Sequence, residues 1–378
     1  MRIAAYNVEN LFDRTKVLSN PNPAVTSTVL SAEAELNRLF QKPVYTTDDK
    51  ARIVALMTTL GLTKKDEGPF VWLRKIRGKI VKRPKTGPMT VVADGRASWV
   101  GWVEHKMAPV NDIAIMNVGR VLRDVGADIL AVVEAENRIA LKEFTDIVLL
   151  SVNTEVPGTG TRYSNVMLID GNDTRGIDVG LLTKQGFSIG DMRSHVADPA
   201  DNGGLLFSRD CPEYAVTTPG GETIWVLPNH FKSKFGGNDP ASQGRRRQQA
   251  ERVAAIYRGL RNSGAENIVV LGDLNDTPGS APLKELLTNT DLKDVSEHPS
   301  FDTGEFAGKG TFGLGNDGDK IDYLLLSPRL FGKITKAGLF RKGAWPGAQP
   351  KRWSTYPELK EPIHAASDHH LIWVDLAM

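Results

Sequence analysis

The apolar run Asn267-Ile268-Val269-Val270-Leu271 leads directly into Gly272-Asp273-Leu274-Asn275-Asp276, and this stretch decides how the rest of the chain is interpreted. The run is short and rich in β-branched residues, which is typical of a buried strand. Asn275 opens a turn, so Asp273 and Asn275 lie at the C-terminal end of that strand. A carboxylate in this position is either a solvated turn residue or a ligand, and the stretch alone leaves both interpretations open.

The composition limits the classes of protein that the chain can belong to. Its 378 residues fit either one large α/β domain or two smaller domains. With 40% hydrophobic and 24% charged residues, it has the composition of an ordinary globular protein. Lys and Arg number 47 against 45 Asp and Glu, so binding of a polyanion would require local clusters of positive charge.

The single cysteine, Cys211, excludes an internal disulfide and fits a reducing compartment. The N-terminal residues lead straight into a strand pattern and lack the long apolar segment of a signal peptide. No run approaches the ~20 apolar residues that cross a membrane. We therefore expect a cytoplasmic protein without a membrane span, with secretion of a processed form as the alternative.

Polar residues follow several predicted strands at the point where each strand ends. The predicted strands cover residues 2–8, 127–133, 163–169, 177–182, 223–227, 267–271, 319–326 and 371–374. The polar residues at or beside their ends are Asn7, Glu9, Glu134, His230, Asp273, Asn275, Asp322, Asp368 and His369. Each alone could be a surface residue at a strand end. Together they predict one site at a common edge.

Helical periodicity separates these strands. The predicted helices cover residues 48–60, 111–125, 138–149, 243–260 and 282–287. Strands, helices and hairpins alternate without a regular βαβ repeat, which predicts an α/β sandwich of two mixed sheets with helices outside. Arg245 and the two arginines after it fall in the first turn of the predicted helix 243–260, where cations oppose the helix dipole, so they are not placed for helix stability.

Residues from about 14 to 110 form an unusual segment. Strands are predicted at 70–73, 89–92 and 98–103, with a basic hairpin tip between the first two. The cations there are Arg74, Lys75, Arg77, Lys79, Lys82, Arg83 and Lys85. They form either a solvated face or a contact with a phosphate backbone. The nearby Trp72, Trp99 and Trp102 are either core residues or stacking platforms for bases.

The residue types at the strand ends favour a particular chemistry. Clustered carboxylates suit a hard divalent cation such as Mg²⁺ or Mn²⁺, and the absence of cysteine among them argues against structural zinc. His230 and His369 offer a general acid and base near neutral pH. Lys232, Lys234 and Arg245 offer positive charge for a phosphate. These are the parts that hydrolysis of a phosphoester needs.

Seven segments, in one order along the chain, resemble motifs of the endonuclease/exonuclease/phosphatase family. They are Tyr6-Asn7-Val8-Glu9-Asn10-Leu11-Phe12, Val133-Glu134-Ala135-Glu136-Asn137, Arg175-Gly176-Ile177-Asp178-Val179, Asn229-His230-Phe231-Lys232-Ser233-Lys234, Gly272-Asp273-Leu274-Asn275, Lys320-Ile321-Asp322-Tyr323 and Ser367-Asp368-His369. Members of the family include deoxyribonuclease I-like nucleases, abasic-site endonucleases, neutral sphingomyelinases and inositol-polyphosphate phosphatases. The resemblance implies a four-layer α/β sandwich, so we expect residues 1–378 to form one such domain, interrupted by an insertion at about 14–110 that holds a helix and a basic β-hairpin.

The resemblance also implies roles for the matched residues. It assigns a metal to Glu134, Asn7, Glu9 and Asp368, and catalysis to His230, Asp273, Asn275, Asp322 and His369. Expected substrate contacts are Asn229, Lys232, Lys234, Arg175 and Arg245. His369, oriented by Asp322, would be a general base or a transition-state stabiliser. His230 would bind phosphate or protonate the leaving oxygen, and the sequence leaves these alternatives open.

Two features depart from the family pattern. Val133 replaces the glutamine that usually precedes the metal-binding glutamate, and the segment at about 14–110 separates the first two motifs more widely than is usual. The Trp-Thr-Asp-Arg signature of the inositol phosphatases is absent. The segments around residues 175–179 and 229–234 look most like bacterial nucleases of the family.

These comparisons lead to an ordered set of functional hypotheses. A nuclease is expected first, with DNA or RNA as substrate, DNA favoured, and no obligate protein partner. A phosphatase or phosphodiesterase for a lipid headgroup or small phosphoester is the alternative, and a silent binding module comes third. The expected nucleic-acid contacts in the insertion are Lys79, Lys82, Arg83 and Lys85.

Overall fold

A computed structural model describes residues 1–9, 15–20, 22–106, 111–158, 160–173, 175–234 and 239–378. Asn10, Leu11 and Phe12 of the first matched segment lie outside these ranges. The chain divides into two compact units. The main unit is Met1–Phe12 with Val110–Met378, and the inserted unit is Asp13–Pro109. The single family domain with an insertion at about 14–110 stays a prediction.

The strands and helices are numbered in chain order. The strands are β1 Arg2–Asn7, β2 Val71–Gly78, β3 Val81–Lys82, β4 Thr90–Val91, β5 Trp99–His105, β6 Ile129–Ala135, β7 Asn165–Leu168, β8 Asp178–Thr183, β9 Ser188–Arg193, β10 Glu213–Thr217, β11 Thr223–His230, β12 Ile268–Asp273, β13 Lys293–Asp294, β14 Phe301–Asp302, β15 Asp322–Leu326, β16 Ile334–Phe340 and β17 Leu371–Leu376. The α-helices are α1 Pro23–Phe40, α2 Thr47–Thr59, α3 Asp112–Val125, α4 Arg138–Glu143, α5 Leu150–Asn153, α6 Pro240–Asn262, α7 Lys284–Leu287 and α8 Pro328–Phe331, and a π-helix at Phe144–Leu149 joins α4 to α5.

The main unit contains two mixed sheets. One has the strand order β14-β16-β17-β1-β6-β8-β7 and the other β13-β15-β12-β11-β10-β9. Apolar residues of both sheets, among them Ile3, Ala131, Val226 and Val269, form one buried cluster between them. A second cluster joins the first sheet to α3, and a third joins the second sheet to α6. The resulting order of helix, sheet, sheet and helix confirms the predicted α/β sandwich.

Local signals explain where the helices beside the sheets begin and end. The Asn111 side chain accepts from the Ile113 amide at 3.0 Å and caps α3, while Gly126 ends the helix with a φ of 58°. Helix α6 starts at Pro240, three residues earlier than predicted, and is capped by Asp239. Arg245, Arg246 and Arg247 therefore lie in the second turn of α6. The prediction that they occupy the first turn and oppose the helix dipole there was wrong.

The inserted unit packs α1 and α2 against two small two-stranded sheets, β2–β5 and β3–β4. The predicted pairing of residues 70–73 with 89–92 was wrong, because β2 extends to Gly78 and pairs with β5 instead. Trp99 is a core residue, with its ring 4.4 Å from that of Phe40. Trp102 is 40% exposed. No helix in the described part of the chain is long and apolar enough to cross a membrane.

Candidate active site

Three neighbouring strands of the second sheet bring predicted site residues side by side. In the register of β11, β12 and β15, His230 lies opposite Asp273, and Asp273 lies opposite Asp322. All three residues are buried. Directly paired residues have Cβ atoms about 4.5–5.5 Å apart, so their side chains can interact. The sheet register alone therefore places an imidazole and two carboxylates side by side at the ends of three adjacent strands.

Two carboxylates and an amide of the predicted site lie on strained backbone. Glu134 sits where the register between β6 and β8 shifts, with a φ of 67°. Glu9 and Asn275 also have left-handed φ values, 46° and 53°. Among the residues that the structure describes, these three are the non-glycine residues with positive φ. Such backbone costs about 1–3 kcal/mol per residue and is characteristic of functional sites.

His369 is held in a fixed orientation. Its Nδ1 lies 2.8 Å from Oδ2 of Asp322, and its Nε2 lies 3.4 Å from the side-chain nitrogen Nδ2 of Asn7. The Ser367 hydroxyl accepts from the His369 amide at 2.9 Å and donates to the Asn7 carbonyl at 2.8 Å. Burial alone lowers the pKa of His369, but the carboxylates of Asp322, Asp368 and Asp273 together outweigh burial and raise it well above its usual range.

Asp273 lies at the centre of the cluster. It accepts hydrogen bonds from the Asn275 backbone amide at 2.8 Å, from the Asn275 side chain at 3.1 Å and from the Asn7 side chain at 3.3 Å. Burial and the neighbouring Asp322 raise the pKa of Asp273 to about 7. Its Oδ2 is 3.7 Å from Nε2 of His230. Burial and the cations Arg209 and Arg175 lower the pKa of His230 well below its usual range.

The donor atoms around this cluster fit a hard divalent cation. In the described ranges, Asp273, Asp322 and His369 form a group whose ligand atoms lie within 4.8 Å of one another. The predicted metal ligands Glu134 and Glu9 adjoin that group. The Glu134 carboxylate is 3.7 Å from Nε2 of His230. The Glu9 carboxylate accepts from the Asp368 amide at 2.9 Å. Oxygen donors predominate, as Mg²⁺ and Mn²⁺ prefer.

Asp368 and Asn7 are the other predicted metal ligands, and both lie at His369. The Asp368 carboxylate is 3.7 Å from Nε2 of His369. All nine strand-end residues that the sequence analysis grouped together are therefore linked in one continuous set of contacts. They are Asn7, Glu9, Glu134, His230, Asp273, Asn275, Asp322, Asp368 and His369.

Two of the predicted substrate contacts, Arg175 and Lys232, belong to a partly buried cationic group with Arg209. The Arg175 guanidinium pairs with Asp173 at 2.6 Å, and Arg209 pairs with the same carboxylate at 3.0 Å. Burial, Arg209 and Arg175 lower the pKa of Lys232, because the three cations repel one another. Glu134 lies within the electrostatic reach of Arg175 and Arg209. Positive charge is therefore concentrated next to the carboxylates.

The other predicted substrate contacts are engaged by the protein. Asn229 is fully buried and donates to the Leu227 carbonyl at 2.9 Å. The Lys234 ammonium lies 2.5 Å from the Asp276 carboxylate. The Arg245 guanidinium donates to the carbonyls of Leu205 and Leu206. Asn229, Lys234 and Arg245 therefore already have protein partners, and the structure does not present them as free ligands for a substrate.

Sequence reasoning missed two residues of the site. Arg209 is 2% exposed and donates to the Phe231 carbonyl, beside His230. Phe312 packs edge-on against His369, with ring centroids 5.0 Å apart. Both residues lie outside the helices and strands, where periodicity carries no signal. Adjacent charges in Ser208-Arg209-Asp210 were the one available sign for Arg209.

Residues 81–341 match the family model described as "Endonuclease/Exonuclease/phosphatase family". The chain belongs to the endonuclease/exonuclease/phosphatase family. This confirms the resemblance that the seven segments indicated. No curated protein sequence matches the chain closely enough to count as a relative.

Several solved structures of this fold are similar to the protein. TDP2 from Caenorhabditis elegans is 17% identical, with 69% of each chain covered and a TM-score of 0.45. An endonuclease/exonuclease/phosphatase from Bacteroides vulgatus is 18% identical, covering 70% of this chain and 90% of that chain with a TM-score of 0.48. The human nocturnin catalytic domain with bound sulfate is 12% identical, covering 70% and 86% with a TM-score of 0.47.

Proposed function

We propose that the protein is a divalent-metal-dependent phosphodiesterase that hydrolyses nucleic acid, with DNA favoured over RNA. The observation that carries the proposal is the 2.8 Å contact between His369 and Asp322, placed beside Asp273 and His230 at one edge of a sheet. An oriented imidazole next to buried carboxylates can move or hold a proton during hydrolysis of a phosphoester.

The geometry supports a division of roles among these side chains. Asp322 holds Nδ1 of His369, so Nε2 is the atom that faces the reactants and stabilises or accepts charge there. Asp273 and Asn275 position the attacking water, because the carboxylate is already fixed by the Asn275 amide. His230 lies 3.7 Å from both Asp273 and Glu134, which suits contact with the phosphate or its leaving oxygen.

The residues proposed to hold Mg²⁺ or Mn²⁺ are Glu134, Asn7, Glu9 and Asp368. In the part of the chain that the structure describes, the nearest ion-pair partner of the Glu134 carboxylate is His230, at 3.7 Å. A partly exposed carboxylate with so distant a partner fits a metal ligand. A bound divalent cation would polarise a phosphoryl oxygen and stabilise the charge that develops on it.

The proposed substrate class depends on the positive charges. Arg175, Arg209 and Lys232 lie beside the carboxylates and suit the phosphate at the scissile bond. The inserted unit offers Lys79, Lys82, Arg83 and Lys85 as contacts with a longer phosphate backbone. A lipid headgroup or a small phosphoester would make no use of that second set, which is why nucleic acid is favoured.

Incubation of the purified protein with plasmid DNA, single-stranded DNA, RNA and a phosphomonoester, in Mg²⁺, Mn²⁺ or EDTA, tests the proposal. We expect cleavage of DNA in either metal and none in EDTA. Glu134→Gln should abolish cleavage without changing the thermal melt, whereas Glu143→Gln, an exposed residue of α4, should cleave normally. Full turnover in EDTA after metal stripping would refute metal dependence. Hydrolysis of the phosphomonoester alone would replace the nuclease with a phosphatase.

A further inference from the structure

The inserted unit contains a cleft of about 220 Å³ whose walls carry three cations. Lys75, Lys79 and Arg83 line it, together with the Asp66 carboxylate. Leu73 and Trp99 contribute apolar surface to the same cleft, and both are buried. The cleft therefore combines an apolar base with a positively charged wall.

The backbone explains why the cations meet at this place. Lys75 stands opposite Gly101 in the register of β2 and β5. A Cβ on Gly101 would lie 2.3 Å from the Arg74 backbone oxygen and 2.4 Å from the Trp99 ring, so only glycine lets β2 and that ring approach so closely. Gly78, with a φ of 76°, then turns the chain, and Lys79 follows it directly. Lys75 and Lys79 are thus brought to the cleft by the end of one strand and its turn.

Arg83 is the fixed member of the group. Its guanidinium lies 2.7 Å from the Asp66 carboxylate and donates to the Leu62 carbonyl at 2.9 Å. These contacts restrict the arginine to one orientation, and the ion pair also neutralises the Asp66 carboxylate. By contrast, the Lys75 and Lys79 ammonium groups have no hydrogen-bond or ion-pair partner among the described residues. Two uncompensated like charges in one cleft favour the binding of an anion.

We propose that this cleft binds a phosphate group of the nucleic acid substrate, with Lys75 and Lys79 as its direct ligands. The inference rests on the proposed function and makes it more specific. It assigns the direct contact to the two lysines that line the cleft, which Lys82 and Lys85 do not line. A phosphate fits because it is a compact anion that can accept hydrogen bonds from several cations at once. The attached sugar can occupy the apolar part.

Binding of a short fluorescein-labelled single-stranded DNA to the full chain, measured by anisotropy in EDTA over a series of salt concentrations, tests this inference. The variants are Lys75→Gln/Lys79→Gln and, with the same change in charge, Lys284→Gln/Lys293→Gln at two exposed lysines of the main unit. Arg83 is left intact because its contacts with Asp66 and Leu62 are structural. We expect the first double variant to weaken Kd about tenfold and to reduce the log–log salt slope by roughly 1.4. The second should weaken Kd less than threefold, and both should melt like the wild type.

Competition by inorganic pyrophosphate distinguishes a discrete phosphate site from diffuse electrostatic attraction. Pyrophosphate that displaces the oligonucleotide from the wild type at millimolar concentration, and fails to affect residual binding by Lys75→Gln/Lys79→Gln, supports a discrete phosphate site. Equal losses in both double variants would show diffuse attraction and overturn the inference, as would binding unchanged in both. A wild-type protein that cleaves DNA while the first double variant binds it normally overturns this inference alone. A wild type that binds no oligonucleotide overturns it together with the proposed substrate.

Discussion

The Asp322 carboxylate and the His369 imidazole lie 2.8 Å apart although 47 positions separate them in the sequence. Asp322 begins β15, and His369 lies just before β17, which belongs to the other sheet. The pair therefore depends on the packing of the two sheets. Because Asp322 occupies Nδ1, the proposed catalytic role of His369 belongs to its Nε2 atom.

The two residues should behave as one unit in catalysis. We expect His369→Ala and Asp322→Asn each to lower kcat by about 10²–10⁴-fold, and the double variant to be little worse than His369→Ala. A double-mutant cycle on DNA cleavage measures this coupling. Asp146→Asn, at an exposed pair with Lys142 on the surface, serves as the control and should leave kcat unchanged. Losses that multiply in the double variant would show that the two residues do not act as a pair.

Substitutions of Lys232 and Arg245, two predicted substrate contacts in different surroundings, should differ in their effect on KM. Lys232 is repelled by Arg209 and Arg175, so an anionic substrate would relieve that repulsion. Lys232→Gln should therefore raise KM about tenfold, while Arg245→Gln should change KM less than twofold, since Arg245 already bonds to the Leu205 and Leu206 carbonyls. Initial rates across a range of DNA concentrations give both values. An equal effect of the two substitutions would place Arg245 in the site as well.

Gly272 is expected to be intolerant of any side chain. Its φ is 121°, and a Cβ would lie 2.2 Å from the backbone oxygen of Asn229. Gly272→Ala should therefore lower the free energy of unfolding by about 2–4 kcal/mol, since both backbone strain and overlap with a fixed carbonyl must be relieved. Gly279→Ala, where a Cβ meets open space, should change it by less than about 0.5 kcal/mol. Urea unfolding of the two variants compares them directly, and similar midpoints would contradict the steric argument.

A histidine outside the active site should make stability depend on pH. His195 lies 3.0 Å from Asp198 through Nδ1 and 2.9 Å from Glu213 through Nε2. Burial lowers its pKa, but the two carboxylates outweigh burial and raise it above 6.5. The stabilisation is therefore complete below that value and is lost as pH rises through the pKa of the folded state.

The substitution His195→Gln tests this dependence. It should lower Tm by roughly 2–4 °C near pH 6 and by much less near pH 9. His298→Gln, at a ring that contacts the Ser300 hydroxyl at 2.7 Å, is the matched substitution for comparison. Melting curves at several pH values supply the measurement. A loss for His195→Gln that does not vary with pH would mean that packing, not charge, is responsible.

The parts of the fold that were predictable were those whose pattern is set locally. The run at 268–271 is buried on both faces, so its apolar residues identified β12 before any tertiary contact was known. Helix α1 was missed because Thr26, Ser27 and Thr28 in its first half are poor helix formers, and burial of Leu36 and its neighbours stabilises it instead. Strand β9 was missed because its residues are largely exposed and do not alternate.

The active site divides in the same way. Carboxylates at strand ends could be identified because the strands themselves were predictable, so Glu134 and Asp273 were found. Arg209 could not be, since it lies in a loop and reaches Asp173 and the Phe231 carbonyl only after the chain has folded. The sequence likewise does not show that His230 lies near cations whereas His369 lies near carboxylates. Those surroundings arise only from tertiary contacts.

If the proposed function holds, the left-handed conformations of Glu9, Glu134 and Asn275 set stability against activity. Glycine adopts such backbone without penalty, so Glu134→Gly would relieve strain of about 1–2 kcal/mol while it removes the carboxylate that lies near His230 and interacts electrostatically with Arg175 and Arg209. Selection for heat resistance alone would therefore favour loss of the carboxylate that the proposed reaction requires. Laboratory evolution of a more robust variant should retain a screen for turnover at every round, or it will enrich well-folded proteins that have lost their chemistry.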